Sequence, residues 1–135
     1  LKEGVFQPDR TRSAKWNRGA YLVGAVAHCA ECHTPRDAFG GLKGKMTMAG
    51  TQDGPEGELA PNITPDSSTG IGDWTAEQIV KLLKTGENPD GDDVQGLMEE
   101  VVEHGFRYMT DEDLEAIAVY LRAIIPIRND VESDN

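Results

Sequence analysis

A chain of 135 residues with 38% hydrophobic and 27% charged side chains provides for one small domain with a modest core, and its shortage of β-branched runs favours helices. The net charge of −11 argues against nucleic acid as a partner. No stretch approaches the roughly 18 uninterrupted apolar residues of a membrane span, so the chain is expected to be soluble as it stands, with any anchor outside it.

The first helix signal is Ser13, an N-cap for a helix through Ala14 to Val23, within which Gly19 would let a second helix approach closely. Six residues beyond Val23 comes the run Cys29-Ala30-Glu31-Cys32-His33, which holds the only two cysteines of the chain. Two thiols at this spacing can each add to a haem vinyl group, while the adjacent imidazole reaches the iron as proximal ligand. A redox dithiol would sit in a βαβ pattern, and no alternating β-rich run precedes Cys29. A zinc site would need two more ligands as a close pair, which His28 and His104 do not provide. A plain disulfide would leave His33 unexplained. The residues therefore read as a covalent haem c site.

Residues 37–72 contain eight glycines and little apolar periodicity, and read as one long loop wrapped around something. Thr75 with Gln78 forms a capping box for a helix that turns Ile79, Leu82 and Leu83 to one face and stops at Gly86. Glu87 to Gly96 is a turn-rich acidic linker, and a short helix over Met98 to Glu103 ends at Gly105. Thr110 and Asp113 box the start of a last helix, whose Leu114, Ile117, Ala118, Leu121 and Ile125 recur at helical spacing before Pro126. Residues 129–135 are polar and expected to fray as a flexible acidic tail. With no internal repeat, the economical count is one haem domain over residues 1–128.

The charge is lopsided, with a net +4 in residues 1–45 and a net −15 in the remainder. Such a dipole would steer a redox partner, the acidic lobe meeting a basic surface, or it serves solubility. The chain begins at Leu1 and shows no signal sequence, although haem attachment is normally completed outside the cytoplasm. A processed or excised piece of an exported protein is expected.

Several runs resemble a known family: Trp16 to Val23, Cys32-His33-Thr34-Pro35-Arg36, Ala60-Pro61-Asn62-Ile63-Thr64-Pro65-Asp66, Thr69 to Gly72, and Ala116 to Leu121. They are similar to class I cytochrome c domains, specifically those in the cytochrome subunits of bacterial membrane-bound alcohol, gluconate and aldehyde dehydrogenases. The resemblance implies an all-α class I cytochrome c fold. Its N- and C-terminal helices would cross where Ile117 and Tyr120 meet Gly19 and Val23, with long loops wrapped around one haem. Those subunits usually carry three such domains. The single haem motif here favours a stand-alone carrier or an isolated module.

The residues alone leave the sixth iron ligand among Met46, Met48, Met98, Met109 and His104, since His28 adjoins the attached Cys29 and is sterically excluded. The resemblance selects Met98, because Gly96-Leu97-Met98 matches the family's distal-ligand segment with Leu97 in place of proline; Met48 and Met46 come next. His33 needs an acceptor for its second ring nitrogen, for which the Pro61 carbonyl is suited. Asn62 and Trp74 are candidate donors to haem propionates, and Arg36 a candidate to neutralise one.

The expectation is a periplasmic one-electron carrier with haem c held by Cys29 and Cys32 and iron bound by His33 and Met98, and with no catalytic residue. Its partners would be redox proteins: a dehydrogenase as donor, an oxidase or another cytochrome as acceptor. The alternatives are a module or subunit of a larger dehydrogenase, membrane-tethered in full length, or a haem enzyme or gas sensor with an open distal site.

Overall fold

In a computed structural model that describes residues 6–131, the described residues form five α-helices and no strand, only three isolated bridges between loop residues. The helices are α1 (Ala14–Tyr21), α2 (Cys29–His33), α3 (Ala76–Thr85), α4 (Gly96–His104) and α5 (Asp111–Ala123). By packing, the chain divides into two units, one drawn from residues 6–27 and 74–120, the other from 28–73 and 121–131.

In the first unit Ser13 caps α1, its Oγ accepting from the Trp16 N–H at 3.0 Å. The helix runs past the expected Val23 as a wide turn over Leu22–Val26, closed when the Ala27 N–H reaches the Leu22 carbonyl at 2.8 Å. Such a π-turn takes one extra residue into the coil, which simple helical periodicity cannot foresee. α1 packs on α5 backbone to backbone. A Cβ at Gly19 would strike the Ala116 carbonyl oxygen and lie 2.8 Å from Tyr120 Cβ. Around this contact Arg18 holds Asp113 through two hydrogen bonds, at 2.9 and 3.1 Å, and Lys15 meets Glu115 at 3.2 Å. The Trp16 ring lies 5.2 Å from that of Tyr120.

Both halves of the Thr75–Gln78 capping box are made, at 2.9 and 3.1 Å, and α3 stops at Gly86 with φ 85, a left-handed cap that glycine adopts freely. Only half of the second box forms. Thr110 Oγ1 accepts from the Asp113 N–H, but the Asp113 carboxylate turns to Arg18 instead. On α5, Leu114, Ile117, Ala118 and Leu121 are buried as the spacing predicts. Ile125 is not: the helix ends at Ala123, and Ile125 is 77% exposed. The stop three residues before Pro126 fits the steric bias against helix ahead of proline.

The second unit is mostly loop, stitched by its own backbone. Bridges pair Arg36 with Leu42 and Thr51 with Ala60. Its buried residues include the apolar Met48, Ala49, Ala60, Ile71 and Leu121 and the polar Thr34, Asn62 and Thr64. The expected flexible tail does not begin at 129. Asn129 hydrogen-bonds the 49–50 and 69 loops, and Val131 is 6% exposed. Residues 132–135 of that tail lie outside the described residues.

Candidate functional site

α2 is a single helical turn whose flanking residue His28 stands in the left-handed region, φ 54 and ψ 44, with no side-chain cap. That conformation costs a non-glycine residue about 1–2 kcal/mol and sharply separates the turn from the coil before it. Cys29 and Cys32, three apart on the turn, share a face and are half-buried free thiols. Burial, with a smaller contribution from neighbouring Cys32, pushes the Cys29 thiol up to about 11. A redox dithiol needs the opposite, a thiolate at neutral pH. Nor do three His, Cys, Asp or Glu side chains gather as a metal site among the described residues.

His33 closes the turn and is 8% exposed. Its Nδ1 lies 2.7 Å from the Pro61 carbonyl oxygen, the acceptor expected from sequence. A carbonyl can only accept, so Nδ1 carries the proton and Nε2 keeps its lone pair. Burial lowers the pKa of His33, against a smaller upward push from the Pro61 bond, and favours the neutral ring. The backbone is pinned as well: the Gly50 N–H donates to the His33 carbonyl at 2.6 Å, and Thr34 Oγ1 accepts from Met48 N–H at 2.9 Å. A buried neutral imidazole with an oriented lone pair, beside two thiols on one helical face, fits a haem c.

The other expected pocket residues divide. Arg36 donates to the Gly40 carbonyl at 2.7 Å and pairs with Glu31 at 3.3 Å, inside the thiol motif itself. Asn62 is 3% exposed, and its amide N–H groups are shared among Thr69 Oγ1 and the carbonyls of Ile127 and Asn129 at 2.8–3.2 Å. Its Oδ1 accepts twice from Thr64. This leaves Asn62 no donor for a propionate; it ties loops together instead.

Cys29, Cys32, His33, Arg36, Pro61 and Asn62 all belong to the second unit, whereas Trp74 and Met98 belong to the first. Trp74 is half-buried ahead of the Thr75 cap, and Met98 is half-buried in the first turn of α4. Among the other candidates, Met46 is half-buried, Met48 is buried with φ 67, Met109 offers its carbonyl to Lys84, and His104 is exposed. Sequence reasoning missed Gly50 and Asn129. Glycine-rich loops and polar tails carry no periodicity that would have marked them.

The family described as Cytochrome c matches residues 17–124. The chain is 40% identical to the fructose dehydrogenase cytochrome subunit of Gluconobacter japonicus, over 86% of this chain and 23% of that protein. It is 42% identical to a diheme cytochrome c-type protein of Cereibacter sphaeroides, over 92% of this chain and 38% of that protein. It is 33% identical to the gluconate 2-dehydrogenase cytochrome c subunit of Pantoea cypripedii, over 89% of this chain and 28% of that protein. The chain thus spans between about a quarter and two fifths of the length of these relatives.

Proposed function

The chain belongs to the cytochrome c family, and from that premise we propose that it is a periplasmic electron-transfer domain carrying one haem c, with His33 and Met98 as the axial ligands of its iron. The observation that carries this reading is the buried His33, its Nδ1–H fixed on Pro61 so that Nε2 keeps its lone pair, on the same helical turn as Cys29 and Cys32. Haem held there supplies one-electron chemistry at iron. Cys29 and Cys32 would hold the haem through thioethers. His33 stays neutral and oriented, so no proton needs to move at Nε2 when the redox state changes. Met98 as the second protein ligand would close the distal side, leaving no open position for substrate; the reading is a carrier and not an enzyme.

A second reading, that this is the electron-transfer module of a larger dehydrogenase assembly, is favoured by its likeness to relatives two of which are named as dehydrogenase cytochrome subunits. The donor partner would then be a dehydrogenase. The described residues contain no helix long and apolar enough to cross a membrane. Denatured protein should keep its colour through acid extraction and weigh one haem more than the polypeptide. Extractable haem, or a mass equal to two haems, would refute the proposal.

A further inference from the structure

Beyond Ala123 the chain leaves the helical path and runs on to Val131 without regular structure. Polar bonds fix it to three loops. Thr64 Oγ1 accepts from the Ile127 N–H at 3.0 Å, and Asn62 Nδ2 donates to the Ile127 and Asn129 carbonyls at 2.8 and 3.2 Å. Asn129 N–H donates to Thr69 Oγ1 at 3.0 Å, while its side-chain amide donates to the Ala49 carbonyl at 3.0 Å and the Gly50 carbonyl at 3.4 Å. Gln52 Nε2 donates to the Val131 carbonyl at 3.2 Å.

Two of these loops are the ones that hold His33. Gly50 donates its N–H to the His33 carbonyl, and Pro61, next to Asn62, accepts from the His33 ring. The loops also touch each other backbone to backbone. Gly50 has φ 87, and a Cβ there would lie 2.6 Å from Asn62 N and 2.7 Å from the Pro61 carbonyl carbon. Neither loop can shift far without meeting the other, and residues 127–131 hydrogen-bond to both. We infer that this segment is a strap that fixes the His33 imidazole against the Pro61 carbonyl, with Asn62 and Asn129 as positioning residues. The inference rests on His33 being the iron ligand proposed above.

The chemistry gives the strap a readable effect. A firm Nδ1–H···O=C bond makes Nε2 a stronger donor, which favours ferric iron. Loosening it weakens that donation and favours the ferrous state. Asn129→Ala removes the amide bonds to Ala49 and Gly50, and leaves those carbonyls without that donor.

The test uses haem-loaded protein, as Asn129→Ala and as a chain ended after Arg128, with Thr75→Ala as a variant that loses a helix cap away from the strap. Midpoint potential, ferric electron paramagnetic resonance g-values and thermal melting are measured together. The strap predicts a several-fold higher ferrous-to-ferric ratio at fixed ambient potential in both strap variants, with shifted g-values. Thr75→Ala should lower the melting temperature and leave both readouts in place. If haem-loaded Asn129→Ala melts lower but keeps the parent potential and g-values, the strap is ordinary packing and the inference falls; should the truncated chain not fold, Asn129→Ala decides alone. Absence of covalent haem in the unsubstituted protein would instead overturn the site reading on which the strap depends.

Discussion

Gly19→Ala is the substitution for which local and tertiary physics disagree most sharply. Helix propensity alone favours alanine by about 1 kcal/mol inside α1. The added Cβ would strike the Ala116 carbonyl oxygen and come within 2.8 Å of the Ala116 carbonyl carbon and of Tyr120 Cβ. Two of those three atoms are helix backbone, which has no rotamer to yield, so α1 and α5 must move apart. Overpacking costs about 1–3 kcal/mol where side chains can adjust, and a backbone obstacle belongs at the upper end of that range or beyond. The net is a loss of about 2 kcal/mol, which for a domain of this size lowers the melting temperature by about 6–10 °C. Circular dichroism melts of the ferric protein would measure it. Gly24→Ala is the internal control, because a Cβ at Gly24 meets nothing within 4 Å. It should be neutral or slightly stabilising. A Gly19→Ala protein that melts at or above the parent temperature would refute the close contact of the two helices.

Replacing Met98 with Ala should abolish the weak long-wavelength sulfur-to-iron band of the ferric protein, lower the potential and open the iron to carbon monoxide; loss of that band in a Met46, Met48 or Met109 variant instead would reassign the ligand. The Arg18 hydrogen bonds, then its charge, hold the Asp113 carboxyl below its ordinary value, so this pair stabilises above the unfolded carboxylate pKa and the contribution disappears as pH falls through the lower folded value. Asp113→Asn should therefore flatten the fall of stability with acid below the ordinary carboxylate pKa of about 4, and an unchanged acid melting profile would show the pair to be inert. Electron transfer with a cationic redox protein should slow as salt rises, since screening shortens to about 8 Å at physiological ionic strength. Neutralising Glu99 and Glu100 beside Met98 should weaken that dependence more than neutralising Asp130, Glu132 and Asp134; equal effects would reduce the charge to a diffuse field.

The features legible in the sequence are those whose cause is local. Ser13, the Thr75–Gln78 box and Gly86 each act within one turn of chain, and each forms as expected. The Cys29–His33 run carries its chemistry in five residues, and the family match agrees with the haem reading. What the sequence hid depends on where the rest of the chain goes. Asp113 has two candidate partners, its own cap and Arg18, and only tertiary packing brings the second. Asn62 looks like a spare donor until Ile127 and Asn129 arrive to take its hydrogens. Asn129 itself sits in a polar stretch whose composition matches a frayed end, and only the carbonyls of Ala49 and Gly50 give it work. Ile125 continues an apolar period that the chain abandons, because periodicity records spacing and not the point at which a helix stops.

The meeting of α1 with α5 also decides when the molecule is finished. Arg18 and Lys15 find partners 95 and 100 residues further along the chain, and closing a loop of that length costs about 4 kcal/mol in its logarithmic term alone. α1 has only eight residues, too few to persist as a helix by itself. It therefore condenses only when α5 is present to receive it, so the earlier of the two helices in the chain is the one that waits. The order of the helix that precedes Cys29 thus depends on a helix that begins only at Asp111, far beyond it.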